Sequence, residues 1–376
     1  HTDEGAYVDW ARFRLLGGDE VPDLSRAYGA LRACVAARLE SVGHRFAASM
    51  KDRARQGDMS SARAIPVENI LDKVVAPLAE QNPVLLLVID GLSVAVFREL
   101  FERMERHGWG EIVAESTSKP LSGVAVLPTV TEVSRASLLC GRIAVGNSNL
   151  EKTAFASHPA LLTRSHGTAP PRLFHKGDLA EGGNLAQEIR QAVSNPQQRV
   201  LGVVYNAVDD YLGGPQQLQQ RWVLEDLRLL LPLFREAHCA GRIVVVTADH
   251  GHVLEDGSLA VGGGADSDRW RPGKDAVHEG EVALAGPRVL TAEGSHEAVC
   301  LWSQPARYSA RKNGYHGGAS LPEVTVPLSV LAPLGMALPG WQPATPPQPD
   351  WWDLPLLAQQ PREAATPAKR PPARRV

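Results

Sequence analysis

Residues 84–91 read VLLLVIDG, six consecutive apolar residues closed by Asp90 and Gly91. No polar residue interrupts 84–89, so the run cannot alternate between core and solvent. It predicts a strand buried on both faces of a parallel sheet. Two similar runs follow, VLGVVY at 200–205 and RIVVVT at 242–247, with helical patterns at 93–107, 184–194 and 216–238. Strands alternating with helices predict an α/β fold, a doubly wound and mostly parallel sheet flanked by helices. Ligands of such sheets gather beyond the carboxyl ends of the strands. Here those ends carry Asp90, the stretch 206–210 and Asp249-His250, all of them acidic or metal-capable.

Upstream, Leu24, Ala27, Tyr28, Leu31, Cys34, Val35 and Leu39 recur at helical spacing within 23–55, with Asp23 as the expected N-cap. A second helix is expected at 66–80. Residues 1–82 thus read as a helical lead-in, either packed on the main domain or ending an upstream one. His1 in place of an initiator Met points to a piece of a longer polypeptide. The main domain is expected at 83–340, with an inserted loop and hairpin at about 254–312 (VGGGADSDRWRPGKD, then EVALAGPRVL and EAVCLWS). Residues 341–376 are rich in proline and end basic, and read as a linker or disordered tail.

With 44% apolar residues the chain can build a large core, while Lys+Arg of 39 against Asp+Glu of 42 gives a net charge of -3. Bulk attraction to nucleic acid or an anionic membrane is therefore not indicated, and any polyanion site must be local. Cys34, Cys140, Cys239 and Cys300 form no CxxC pair. They are expected to be buried thiols in a reducing compartment, not a thiolate zinc site. No apolar run reaches the ~18 residues of a spanning helix, so a cytoplasmic protein without membrane contact is expected.

Asp249-His250-Gly251-His252 sets a carboxylate and two imidazoles directly after a strand, ligands suited to Zn²⁺ or Mn²⁺. The segment 127–142, LPTVTEVSRASLLCGR, enters a short amphipathic helix that Gly141 can end. Thr131 falls at or just before its N-terminus, where free N–H groups favour a phosphate-like anion. Thr131 is there either an ordinary cap or, beside a metal, an activated nucleophile.

Strand-IDG, PTVT before a helix, VDD and TADHG after strands, and a late HGG occur in the order that resembles the alkaline phosphatase superfamily. Within it the chain resembles the PglZ family of BREX anti-phage defence, as in type 2 systems, over about 83–335. Thr131 stands ten residues before Gly141, and 315–331 reads YHGGASLPEVTVPLSVL; both resemble that branch. The resemblance implies a two-metal site with Thr131 as nucleophile, passing through a phosphothreonine. One divalent ion, Zn²⁺ or Mn²⁺, would be held by Asp90, Thr131, Asp249 and His250, the other by Asp209 and His316. The family usually adds a His four residues after the position of Asp209, where this chain has Gly213. Asp210 or His252 are the candidates to complete that second set, so one or two ions per chain are expected. Arg135 matches a family Arg, in contact either with phosphate oxygens or with a surface ion-pair partner.

The activity implied is that of a phosphodiesterase or nuclease acting on nucleic acid or a nucleotide, beside BREX partners such as the methyltransferase. Arg269, Trp270, Arg271 and Lys274 of the insertion would either stack on and charge-match a nucleotide or form a plain surface loop. The alternatives are a metal-binding scaffold with weak or no catalysis, favoured by Gly213, and a phosphomonoesterase.

Overall fold

The computed structural model describes residues 5–213, 222–262 and 267–345. Helix α1 (Gly5–Arg14) precedes the long α2 (Pro22–Gln56). Pro22 begins α2 because its fixed φ suits the first helical position, and the cap position falls to Val21 rather than Asp23. Gly57, at φ 73, ends the helix by donating its N–H to the Arg53 and Ala54 carbonyls. Its C-terminal part buries Ala47, Met50 and Ala54, and Arg32 further back pairs with Asp256, whereas Leu24 and Leu31 of the expected apolar stripe are exposed. Residues 66–80 do not form one helix. They divide into a short strand β1 (Ala64–Pro66), a 3₁₀ turn (Val67–Asn69), a π turn (Leu71–Val75) and one α segment (Ala76–Gln81).

The central elements follow as β2 (Val84–Ile89), α3 (Val94–Leu100), β3 (Trp109–Ala114), β4 (Leu121–Val124), α4 (Thr131–Cys140), α5 (Ser148–Ala156), β5 (Arg172–Phe174), α6 (Gln187–Ser194), β6 (Val200–Tyr205), α7 (Ala207–Leu212), α8 (Leu230–Cys239) and β7 (Ile243–Thr247). The helical stretch expected at 93–107 breaks after Leu100 and resumes as a 3₁₀ turn at Met104–His107. Of the pattern at 216–238, residues 216–221 lie outside the described residues, and the rest is a 3₁₀ turn (Leu224–Asp226) and α8. The insertion forms β8 (Trp270–Arg271), β9 (Glu281–Ala285) and β10 (Glu297–Leu301), an antiparallel set with β10 in the middle. Strands β11 (Thr325–Pro333) and β12 (Trp341–Pro343) are the last strands among the described residues. The proline-rich tail was expected from 341; its first three residues form β12 on β3, and 346–376 lie outside the described residues.

One nine-stranded sheet runs β1-β4-β11-β7-β2-β6-β5, with β3 also on β11 and β12 on β3. Strands β7, β2, β6 and β5 are mutually parallel and β11 lies antiparallel between β4 and β7. The fold is α/β with its helices on the sheet's faces. Pro327 is tolerated in this central strand because pairing with β7 begins only at Leu328, and the Pro327 carbonyl takes the Thr247 hydroxyl at 2.8 Å.

All six residues of β2 are buried. At roughly 1.5–3 kcal/mol each, they contribute on the order of 10 kcal/mol before ordering entropy is subtracted. An unpaired carboxylate buried at the strand's end would cost several kcal/mol, a large fraction of that gain. Asp90, which is 1% exposed, must therefore be compensated by its neighbours.

The cysteines divide. Cys140 and Cys300 are buried free thiols, but Cys34 and Cys239 are exposed, contrary to expectation, because the face of α2 bearing Cys34 has no packing partner among the described residues and Cys239 ends α8 at the surface. No helix among the described residues is long and apolar enough to cross a membrane.

Candidate metal centre

Parallel strands β2, β6 and β7 end side by side, so the residues after them converge although they lie up to 160 positions apart in sequence. Asp90, Asp249 and His250 are fully buried, and one potential ligand atom from each lies within 4.8 Å of the others. His250 Nε2 is 3.6 Å from Asp90 Oδ1 and 3.5 Å from Asp249 Oδ2. Its Nδ1 lies 3.0 Å from the Gly251 carbonyl. A carbonyl only accepts, so Nδ1 carries the proton and Nε2 of the neutral ring is bare. Burial pushes the His250 pKa well down, and His316 adds to the effect, so the ring is neutral. A bare nitrogen thus faces two carboxylates, and Asp249 Oδ2 is buried without a hydrogen-bond partner. Burial raises both Asp pKa values, Asp249 strongly. Confronted lone pairs in a dry site are what a divalent cation neutralises, and the donor set fits one.

Thr131 is the first residue of α4 and sits at the mouth of this group. Its Oγ1 is 3.2 Å from His250 Nε2 and 3.4 Å from Asp90 Oδ1. Ser134, one turn on, ties the helix to the loop by donating to the Asp249 carbonyl at 2.6 Å. Gly141, at φ 66, ends α4 ten residues after Thr131.

Arg135 is not at the surface. Its Nη1 donates to Asp90 Oδ2 at 2.6 Å, and its Nε donates to Glu151 of α5 at 3.1 Å. Asn206 Nδ2 donates to the same Asp90 oxygen at 2.7 Å. Behind them, His175 Nε2 lies 3.2 Å from the fully buried Glu151. Burial, reinforced by Arg135 and Lys152, lowers His175 to about 4, so this ring is neutral too. Glu151 and His175 carry no signal in the linear sequence, since neither neighbours a motif; Asn206 stood only as part of an acidic strand end.

Asp209 and His316 are brought together at the rim, 3.4 Å apart, and the His316 ring stacks on His250 at 4.3 Å between centroids. The His316 bond lowers Asp209 to about 2. Burial opposes charge on His316, but Asp209 outweighs it and raises the imidazole to about 9. His316 is aimed by Thr129, whose carbonyl lies 3.1 Å from Nδ1 and whose hydroxyl bridges the Gly317 N–H and Gly318 carbonyl. The two candidates for completing this pair are elsewhere. Asp210 holds Lys176 at 2.6 Å on the surface. His252 is turned the other way, with Nδ1 on the Gly91 carbonyl at 2.6 Å and Nε2 unpartnered beside a small crevice lined by Asp9, Phe13 and Ser93. Gly213 donates its N–H to the Asp209 carbonyl.

The insertion's cations do not reach the centre. Arg269 is fully buried and holds Glu323 at 2.8 Å together with the carbonyls of Leu301, Ser303 and Ala306. Arg271 grips Glu281, and Lys274 pairs with Glu297. Arg269 and Arg271 are neutralised by buried carboxylates and brace the insertion, whereas Lys274 is a largely exposed side chain in a surface ion pair. Trp270, 9% exposed, packs near Gly317 beside His316.

A family model described as the BREX system PglZ alkaline phosphatase-like domain matches residues 70–331. The chain belongs to the PglZ family. No curated protein matches this PglZ chain significantly. Among solved structures, murine ectonucleotide pyrophosphatase/phosphodiesterase 5 is similar at 12% identity and TM-score 0.41, covering 66% of this chain and 88% of that one. Phosphonoacetate hydrolase from Sinorhizobium meliloti 1021, in complex with phosphonoacetate, is similar at 12% identity and TM-score 0.42, covering 67% and 90%. The PglZ match spans every residue of the cluster just described, from Asp90 to His316.

Proposed function

We propose that this PglZ chain is a divalent-metal-dependent phosphodiesterase with Thr131 as nucleophile. The observation that supports it is the place of Thr131 Oγ1, at a helix N-terminus and 3.2–3.4 Å from two members of a buried Asp/Asp/His set. A divalent ion held there by Asp90, Asp249 and His250 would supply Lewis acidity to the threonine hydroxyl and the phosphoryl oxygens.

The chain's own groups do the rest. The free N–H groups of α4 and the Arg135 guanidinium receive the charge of the phosphoryl oxygens, and Asn206 sets the Asp90 carboxylate. Thr131 Oγ gives up its proton to solvent and attacks phosphorus, the Oγ–P bond forming as the bond to the leaving alcohol breaks, with the leaving oxygen taking a proton from solvent. Water then cleaves the Oγ–P bond, returning the hydroxyl and releasing a phosphomonoester. Asp209 and His316 form the second, sparser ligand pair, with Zn²⁺ or Mn²⁺ as the ions considered. Within a BREX system the substrate is a phosphodiester of nucleic acid or a nucleotide, the partners are the other BREX proteins, including the methyltransferase, and the compartment is the cytoplasm.

Hydrolysis of bis-p-nitrophenyl phosphate beside p-nitrophenyl phosphate, with Zn²⁺, Mn²⁺ or chelator, tests this on wild type and Thr131→Ala. Diester cleavage that needs metal and vanishes in the variant is expected, while faster monoester cleavage would make the chain a phosphomonoesterase. Gly213 favours a second reading, a metal-bound scaffold. Metal-dependent thermal stabilisation with no hydrolysis of either substrate is its signature.

A further inference from the structure

We propose that a surface cavity of about 350 Å³ lined by Arg190, Arg228 and Arg235 is a phosphate subsite for the chain of a single-stranded polynucleotide whose scissile bond lies at Thr131. The proposal rests on the phosphodiesterase reading. Most arginines near the described core hold a carboxylate, as Arg98, Arg135, Arg271 and Arg288 do. These three are exposed and have no ion-pair or side-chain hydrogen-bond partner among the described residues. Only one carboxylate, Glu236, lines the cavity with them, so three guanidinium charges stand against one negative charge. Holding three like charges together without compensation is unfavourable, and phosphate oxygens, which guanidinium binds bidentately, relieve it.

Its position links it to the centre. Helices α6 and α8 run antiparallel to β6 and β7, the strands they precede, so their N-terminal ends sit at the sheet edge where Asp90 and Asp249 lie. Arg228 and the turn at Gly183-Asn184 occupy that end, and Arg235 extends the charge down the flank between the two helices. The side chain of Tyr205, the last residue of β6 and the neighbour of Asn206, is directed to the backbone of Leu229, which lines the cavity. A strand leaving the centre past Asn206 therefore meets the arginines next. Because the chain as a whole is acidic, this local patch, and not bulk charge, would carry polyanion binding.

The test is fluorescence anisotropy of labelled single-stranded oligonucleotides of roughly ten nucleotides, in chelator so that none is cleaved, with wild type and the triple variant Arg190→Ala, Arg228→Ala, Arg235→Ala. Arg228→Glu alone serves as a second variant, and a thermal melt verifies folding. Expected are an affinity loss of at least about tenfold, and a salt slope smaller by about 2 in the triple variant, since each single-strand phosphate contact contributes about 0.7. Hydrolysis of bis-p-nitrophenyl phosphate, which is too small to span both places, stays unchanged. Equal affinity and slope in the variants, or no oligonucleotide binding by wild type, overturns the subsite. Binding lost in the variants while wild type hydrolyses nothing overturns the activity and leaves the subsite standing.

Discussion

Asp90 divides its two oxygens between two duties. Oδ2 receives Arg135 Nη1 at 2.6 Å and Asn206 at 2.7 Å, and Oδ1 faces Thr131 and His250. The guanidinium therefore neutralises the carboxylate that a cation would also claim, and the two compete electrostatically. Arg135→Ala is expected to tighten divalent-ion binding about tenfold, the worth of one charge-assisted hydrogen bond, and to raise KM for a phosphodiester by a similar factor. Calorimetric titration with Zn²⁺ or Mn²⁺ checks the first effect, and unchanged affinity would refute the competition.

Gly251 separates the two histidines and donates its N–H to the Glu323 carbonyl at 2.8 Å. A Cβ there would overlap the Pro322 carbonyl oxygen, which is backbone and cannot swing aside. Gly251→Ala should push the loop of Asp249 and His250 off the 321–324 turn, at a cost of about 1–3 kcal/mol, and abolish metal-dependent stabilisation. A melt with and without metal reads both. A variant with wild-type metal response would show that the loop yields more easily than this contact implies.

Glu281 carries a pH dependence with a definite sign. Burial alone would raise its pKa, but Arg271, the Tyr308 hydroxyl and the N–H groups of Val277 and His278 hold it down at about 2. A carboxyl held below its unfolded value stabilises the fold above that value and loses the contribution as pH falls toward the folded one. The window runs from about 4.5 down to 2, and the full effect is about 3 kcal/mol. Urea unfolding of wild type and Glu281→Gln should differ most above pH 5, and the gap should narrow by pH 3.5. A constant gap would mean that Glu281 acts by packing rather than by charge.

Gly213 has φ -71, a conformation open to any residue, and among the described residues a Cβ there meets only the Asp209 carbonyl at 3.8 Å. Gly213→His can therefore place an imidazole one helical turn from Asp209. Under the two-metal reading it should raise bound metal from about one toward two ions per chain, as measured by elemental analysis after gel filtration. Unchanged stoichiometry would count against Asp209 and His316 as a metal pair.

The sheet was readable because buried parallel strands are continuous apolar runs, and 84–89, 200–205 and 243–247 need no tertiary context to be recognised. Asp90, Thr131, Asp249 and His250 were readable because strand ends and helix starts locate them. Arg135 was singled out by the family resemblance, but its partners were not legible, since only folding sets Asp90 and Glu151 around it. Glu151 and His175 were invisible, lying between motifs on elements whose sequence shows only helical or turn character. The insertion misled for a physical reason. Arg269 and Arg271 look like a solvated basic stretch in one dimension, while Glu323 and Glu281, which neutralise them, come later in the chain. Helix boundaries failed where π and 3₁₀ turns interrupt the ladder, as at 66–80.

Strand β11 is almost the last element among the described residues, yet it lies between β4 and β7 in the sheet. During synthesis β4 and β7 emerge long before their common neighbour and present open edges until residue 333 has left the ribosome. The turn that seats Gly251, and the loop that carries His316 onto the Thr129 carbonyl, come only just ahead of that strand. The centre is thus assembled in one late event that also seals the sheet, and a nascent or truncated chain lacking β11 would be both inert and prone to edge-to-edge association.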